Sequence, residues 1–304
     1  MNYDPYPQLS AVDHVIFLNA TSMKKLACDR AFQFHNPRGY KLAAEDPILT
    51  LGKAIHKYAE EFTRSGGKHA EALAKACDAY PTIEARDMIN YCAGRSRINL
   101  PPPITLADNS LAVEFFFRVP WRRYVVGARS YVIILCGTLD MLAQDSSGVL
   151  WVVDYKSSRK WKVEDINADY EREMQFRFYM WNIVRHGASF LPLSAFNAAT
   201  AGRIATQVVG VQVGSSKSLY WHKCPPIMMN DGELAEFDEL MDGVAEKILA
   251  LTMLTDVATP NGKTNNACRY CDFGALCYSR TSVEVAAAER LFVQKTYNPQ
   301  HHNE

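Results

Sequence analysis

The sequence predicts an α/β fold, a strand-rich core with helical material from both ends of the chain packed around it. Three observations lead there. Apolar residues recur at helical spacing over the first hundred residues, the period switches to strand-like alternation from Leu111, and a single helix then separates two further groups of strands. At 304 residues and 48% hydrophobic content the chain can bury one large core. It is read as a single domain over 1–304, with a helical part at 21–100, the α/β core at 105–225, a helix and cysteine-rich segment at 230–280, and a last helix and tail at 281–304.

Residues 1–20 read as an irregular lead-in. Thr21 or Ser22 caps a helix over Ser22–Phe34, and a second helix starts at Pro47 or Thr50 and ends at Phe62, before Ser65-Gly66-Gly67. Its apolar face runs through Leu51, Ile55, Tyr58, Ala59 and Phe62, with His56 at the edge. Residues 68–95 hold one or two more helices broken at Tyr80-Pro81, and the triple proline Pro101-Pro102-Pro103 marks a loop. Strands follow at Leu111–Val119 and Tyr124–Leu135, then a hairpin, a helix from about Asp169 to Arg185, and strands at Ala205–Val213 and Leu219–His222. Residues 186–204, rich in Ala, Ser and Gly, read as a loop; Glu233–Leu254 is an amphipathic helix and Val283–Lys295 a final one.

Lys plus Arg equals Asp plus Glu at 33 each, so no global positive field advertises nucleic acid, although one cleft can still be basic. No apolar run reaches the roughly 18 residues of a membrane span, and the first residues are acidic and prolyl rather than basic then apolar. A cytoplasmic protein without membrane association is expected.

The hairpin carries the chemistry. Cys136-Gly-Thr-Leu-Asp140-Met-Leu142 and Val149-Leu-Trp-Val-Val-Asp154-Tyr-Lys156 are apolar strands joined by the polar turn Gln144–Gly148, each with one carboxylate. Period-2 geometry puts Asp154 and Lys156 on one strand face. With Asp140 brought beside them, two acids and an amine make a divalent-metal site; without it, Asp-Tyr-Lys is a solvated strand end. Gln175 and Tyr179 are four apart and share a helix face.

Eight cysteines in a cytosolic chain favour metal binding or burial over disulfides. Cys268-x2-Cys271-x5-Cys277 offers three thiolates where a zinc ion or iron–sulfur cluster takes four. Cys28 is the best fourth, with Cys77 and Cys92 as alternatives, and spacing does not decide zinc against iron–sulfur.

Six segments in order resemble the RecB-like PD-(D/E)XK nucleases that carry an iron–sulfur clasp, a group that includes the AddB nuclease domain and CRISPR-associated RecB-like exonucleases. They are Ser22-Met-Lys-Lys-Leu-Ala-Cys28-Asp-Arg-Ala-Phe32, Gly52-x3-His56, Gly137-Thr-Leu-Asp140, Val152-Val-Asp154-Tyr-Lys156, Gln175-x3-Tyr179 and the cysteine cluster, spanning roughly 21–280. Asp29 replaces the family's usual proline, and Met23 stands near its usual leucine. The resemblance implies a restriction-endonuclease-like core, a central mixed sheet flanked by helices, with the helical ends joined by a four-cysteine clasp. Cys28, Cys268, Cys271 and Cys277 would hold a structural [4Fe-4S] cluster, with zinc as the alternative occupant. It implies Mg²⁺ or Mn²⁺ held by His56, Asp140, Asp154 and the Tyr155 carbonyl, Lys156 orienting the attacking water, and Gln175 and Tyr179 ordering the site and the DNA. Glu114 stands where some relatives carry an accessory acid, or is a solvated charge on an edge strand. Lys24, Lys25, Arg159, Lys160, Lys162 and Arg177 are candidate phosphate contacts, with Trp161 able to stack on a base.

The implied function is a metal-dependent deoxyribonuclease, an exonuclease of recombination, repair or phage DNA processing in a bacterial or phage-infected cell. Its implied partners are DNA, single-stranded or with ends, and recombination or helicase proteins. Two other readings use the same residues: a non-cleaving DNA-binding scaffold, disfavoured by the intact Asp140, Asp154 and Lys156, and a zinc-binding interaction module.

Overall fold

The longest strand, β4 (Arg129–Gln144), joins what the sequence suggested as two strands. Residues Val132 to Cys136 are fully buried on both faces, which is why they read as a continuous apolar run rather than an alternation. The computed structural model describes residues 13–43, 47–83, 85–92, 94–158, 164, 167–168, 170, 173–212, 221–254, 256, 268 and 271–294. The chain is α/β, with a mixed central sheet flanked by helices. It divides into two compact units: Met1–Glu45, Arg118–Gly137 and Glu236–Glu304 form one, and Asp46–Phe117 and Thr138–Ala235 form the other.

In the first unit β1 (Asp13–Leu18) pairs in parallel with the start of β4, Asp13 opposite Ser130 and Leu18 opposite Leu135. This corrects the irregular lead-in over residues 13–18, where Val15-Ile-Phe-Leu18 is a short β-rich run. The helix expected over Ser22–Phe34 is two pieces, α1 (Ala20–Lys25) and α2 (Asp29–His35). Asn19 caps the first, its Oδ1 accepting from Ser22 N at 2.8 Å. Cys28 breaks the run because its backbone is extended, φ −139° and ψ 118°. Strand β2 (Tyr40–Leu42) pairs antiparallel with β8 (Phe292–Gln294), so the expected last helix stops early, as α10 (Ser282–Glu289). Thr281 and Glu284 form a capping box at its start. Between them lies α9 (Gly274–Tyr278).

In the second unit the end of β4 pairs antiparallel with β5 (Leu150–Ser158), confirming the hairpin, with Met141 opposite Val153. Strand β5 is parallel to β6 (Ile204–Gln212), which is antiparallel to β7 (Trp221–Lys223). Strand β3 (Val113–Val126) pairs with β4. Helix α3 (Pro47–Arg64) lays Ala54, Ile55, Tyr58 and Ala59 against Met141, Val153, Tyr155 and Val209. Helices α4 (His69–Ala79) and α5 (Ala85–Cys92) extend that core with Ala72, Ala76, Met88 and Cys92. Helix α6 (Met174–His186) is apolar nearly all round and buried accordingly. The loop expected at 186–204 contains α7 (Leu193–Thr200), whose Ala195, Ala198 and Ala199 are buried. Alanine suits a helix better than a loop once a strand floor exists to pack on. Helix α8 (Asp231–Met253) matches its expected span. Among the described residues no helix is long and apolar enough to cross a membrane.

Met88 has no exposed surface and sits in the main core of the second unit. Met88→Ala is expected to lower stability by about 2–5 kcal/mol, read as an earlier urea midpoint at unchanged slope. Leu193→Ala, at a position 72% exposed, should stay within about 0.5 kcal/mol.

Candidate active site

The acids, amine and imidazole expected to share a site are all in the second unit. The β4–β5 hairpin carries Asp140 on one strand and Asp154, Tyr155 and Lys156 on the other. Tyr155 N donates to Asp140 Oδ2 at 2.6 Å, locking the first acid to the backbone between the second acid and the lysine. Helix α3 delivers His56, whose Nδ1 lies 3.2 Å from Asp140 Oδ1. Gly52, one turn earlier, lets that helix come close: a Cβ there would stand 3.3 Å from Ser157 Oγ.

On β5 itself, Lys156 Nζ is 2.7 Å from Asp154 Oδ2, and Gln175 Nε2 on α6 donates to Asp154 Oδ1 at 3.0 Å. Gln175 also reaches the Tyr179 hydroxyl at 3.3 Å, and Tyr179 meets Phe117 edge to face. Lys156 lies over the Phe176 ring, 5.8 Å from its centre. Gln175 and Tyr179 thus share one helix face, as their spacing indicated.

Glu114 is the residue the sequence left ambiguous. His56, Glu114 and Asp140 each offer one ligand atom, all within 4.8 Å of one another, the sole such group of His, Cys, Asp and Glu among the described residues. Glu114 reaches this place with φ at 49°, a left-handed conformation that a side chain rarely adopts. Arg64 Nη2 braces it by donating to the Val113 carbonyl at 2.7 Å, and Glu60 holds Arg64 Nε at 3.0 Å. Nothing in the local sequence signals a backbone outlier at Glu114.

Crowding like charges moves their titration apart. Burial would raise Asp140, but the adjacent His56 outweighs it and holds Asp140 below the usual carboxylate range. Burial would lower His56, yet Asp140 lifts it to about 9. Burial and the Asp140 charge push Glu114 up to about 8. Burial also lifts Asp154 to about 6, against the pull of Lys156. Lys156 is raised, burial being overcome by Asp154 and Asp140. Two acids and an imidazole that tend to hold protons make a donor set that a divalent cation fits, because a cation would replace those protons. All the donors are oxygen or imidazole nitrogen, which suits Mg²⁺ or Mn²⁺.

The remaining expected residues divide in three. Lys25 is ion-paired with Asp272 at 2.6 Å, and Arg177 with Glu233 at 3.3 Å; Lys24 is exposed. Arg159, Lys160, Trp161 and Lys162 lie outside the described residues. The four clasp cysteines all belong to the first unit, and none forms a disulfide. Cys28 and Cys271 pack against one apolar cluster built from Ala31, Phe34, Phe273, Leu276, Ala288 and Phe292, and Arg30 Nη1 is 3.8 Å from Cys277 Sγ. The sulfurs of Cys28, Cys268, Cys271 and Cys277 do not gather within ligand-shell distance, so the assembled four-thiolate clasp is not found. Burial raises the Cys271 thiol above its usual value.

Residues 20–278 match the family described as the PD-(D/E)XK nuclease superfamily. No curated protein matches the chain. Similar solved structures include one from Eubacterium rectale named "Putative exonuclease", at 11% identity and TM-score 0.41, covering 91% of this chain and 97% of that one. Another, named SSO0001, aligns at 12% identity and TM-score 0.26, covering 79% of this chain and 90% of that one. The family match spans most of the chain, and it includes the helix with His56, the strand with Glu114, the hairpin with both acids and the lysine, and the helix with Gln175. The chain belongs to the PD-(D/E)XK nuclease superfamily.

Proposed function

We propose that the chain is a metal-dependent deoxyribonuclease, an exonuclease that degrades DNA from ends in recombination, repair or phage DNA processing. The observation that carries the reading is the gathering of His56, Glu114 and Asp140 beside the Asp154–Lys156 pair, within a superfamily of nucleases. His56, Glu114 and Asp140 would hold Mg²⁺ or Mn²⁺, with Asp154 and the Tyr155 carbonyl next to them. A cation held there would supply Lewis acidity for water activation and for neutralising phosphate charge. Lys156 Nζ holds the attacking water and faces charge developing on the phosphate. Asp154, poised near pH 6, takes the proton that the attacking water gives up, at Oδ2, when Lys156 turns to that water. Gln175 and Tyr179 keep the Asp154 carboxylate from rotating.

With end-labelled linear DNA and Mg²⁺ or Mn²⁺, Lys156→Ala and Asp154→Ala are each expected to remove cleavage by a factor of at least about a hundred while the protein stays folded. Covalently closed circles should resist the wild type, and cutting of circles would replace exonuclease by endonuclease. Cleavage that survives both substitutions would exclude this site.

Metal binding carries a pH signature. Below about pH 8, His56 and Glu114 are protonated in the metal-free protein, so binding must expel protons. Mn²⁺ affinity should therefore climb from pH 6 through pH 9 and level off only once the His56 titration is complete. Calorimetry in two buffers of different ionisation heat measures the released protons. Glu114→Gln should lessen the slope below about pH 8 and leave the part nearer pH 9, which belongs to His56, in place; a flat wild-type profile would refute the ligand set.

The proposal extends to the cysteines as a structural site for a [4Fe-4S] cluster, with zinc as the alternative, and either would have to draw together four sulfurs that lie apart in this structure. Its support is the Cys268-x2-Cys271-x5-Cys277 spacing and the shared apolar cluster under Cys28 and Cys271. Anaerobically purified protein is expected to be brown, with about four irons per chain. Colourless protein carrying one zinc assigns zinc, and protein with neither metal removes this part of the proposal.

A further inference from the structure

Arg95 lies in a 3-10 turn, Arg95–Arg97, just before the proline-rich loop, and is only 5% exposed. Among the described residues no carboxylate comes within ion-pair distance of it. Its Nη1 donates to the Ile98 carbonyl at 3.0 Å and its Nη2 to the Tyr155 hydroxyl at 3.1 Å, while Nε finds no acceptor among the described residues. The guanidinium lies 5.0 Å from the centre of the Phe62 ring and 5.7 Å from that of Tyr155. A buried cation with no counter-charge is expensive, and an apolar side chain of similar length would fill the volume at lower cost. The position therefore asks what the guanidinium does that packing cannot.

The answer lies in what Tyr155 holds. Its backbone N–H fixes Asp140, and its chain neighbours are Asp154 and Lys156. Its ring meets His56 edge-on at 6.2 Å and Trp221 at 5.9 Å. Phe62 and His56 belong to one helix, α3, and Tyr155 to β5. A guanidinium bridging Phe62 and Tyr155 sets the separation of helix and strand, and with it the distance between His56 and Asp140.

We infer that Arg95 is a positioning residue for the metal site, a buried clamp that holds the Tyr155 side chain against α3 so that His56 and Asp140 stay within reach of one cation. The inference rests on the metal-site reading given above, and one titration tests both. Mn²⁺ affinity is measured by calorimetry, and the melting temperature of the metal-free protein is measured alongside, for wild type, Arg95→Met, Arg95→Lys, Tyr155→Phe and the double variant Arg95→Met with Tyr155→Phe.

Arg95→Met is expected to melt no lower than wild type yet bind Mn²⁺ at least about tenfold more weakly, the scale of an outer-shell loss. Tyr155→Phe, which keeps the ring and removes the acceptor oxygen, should weaken binding by a smaller factor, and the double variant should match Arg95→Met. Arg95→Lys keeps the charge but not the planar fork, and should restore little. Under steady-state cleavage kcat should fall with KM for DNA unchanged. Folded Arg95→Met with wild-type Mn²⁺ affinity overturns the inference, as do fully additive effects in the double variant. Should Arg95→Met fail to fold, wild-type affinity in both Arg95→Lys and Tyr155→Phe overturns it equally. Wild-type protein that binds no Mn²⁺ overturns the metal reading and the inference together; wild-type binding with unaffected variants overturns the inference alone.

Discussion

Three carboxylates in one partly buried volume repel each other, and the second unit is arranged to hold them together regardless. Asp140 is tied down by the Tyr155 amide, Asp154 by Gln175 and Lys156, and Glu114 by a strained backbone whose preceding carbonyl is gripped by Arg64. A left-handed side-chain-bearing residue costs on the order of 1–3 kcal/mol and persists only where its surroundings over-determine it. That cost falls on the backbone at Glu114 and not on the hairpin, whose register is unbroken from Met141 opposite Val153 to Gln144 opposite Leu150. The fold thus separates two tasks. The hairpin supplies a rigid frame, and the neighbouring strand and helix bring their groups to it by close approach.

Proton occupancy is the other face of the same repulsion. One acid is held ionised by the imidazole beside it, and two others are pushed toward their neutral forms. The metal-free protein stores protons where the loaded protein would carry a cation.

How much of this could be read from the chain depended on whether a signal was local. The hairpin was legible because each strand is an apolar run carrying a single acid and a Gly-containing turn closes it; α3 was legible because its apolar stripe is regular and two glycines end it. The pairing of His56 with Asp140 became legible only through the order of six distant segments. Glu114 stayed between an accessory acid and a solvated charge because a φ of 49° leaves no trace in composition, and Arg95 escaped because no pattern marks a buried cation stacked between two rings. Helix α7 was hidden by its Ala, Ser and Asn content, which also suits a loop, and β8 by the apolar residues it shares with the helix before it. The cysteine spacing was plain, but where four sulfurs sit is a matter of tertiary placement, and here they do not meet.

The make-up of the first unit also bears on how a ribosome would deliver it. Phe34 packs on Phe273, β2 pairs with β8, and Tyr40 bonds Glu289, a separation of 249 positions. At about 5–20 residues per second, α1 and α2 emerge on the order of ten seconds or more before the partners that cover them. The second unit waits less, because its hairpin is local and the last strand it needs, β7, ends at Lys223, before Phe273 is made. During synthesis the reacting groups can therefore take their places while the opening helices still present Ala31 and Phe34 uncovered, and a truncation near the end of the chain would leave that apolar surface exposed for good.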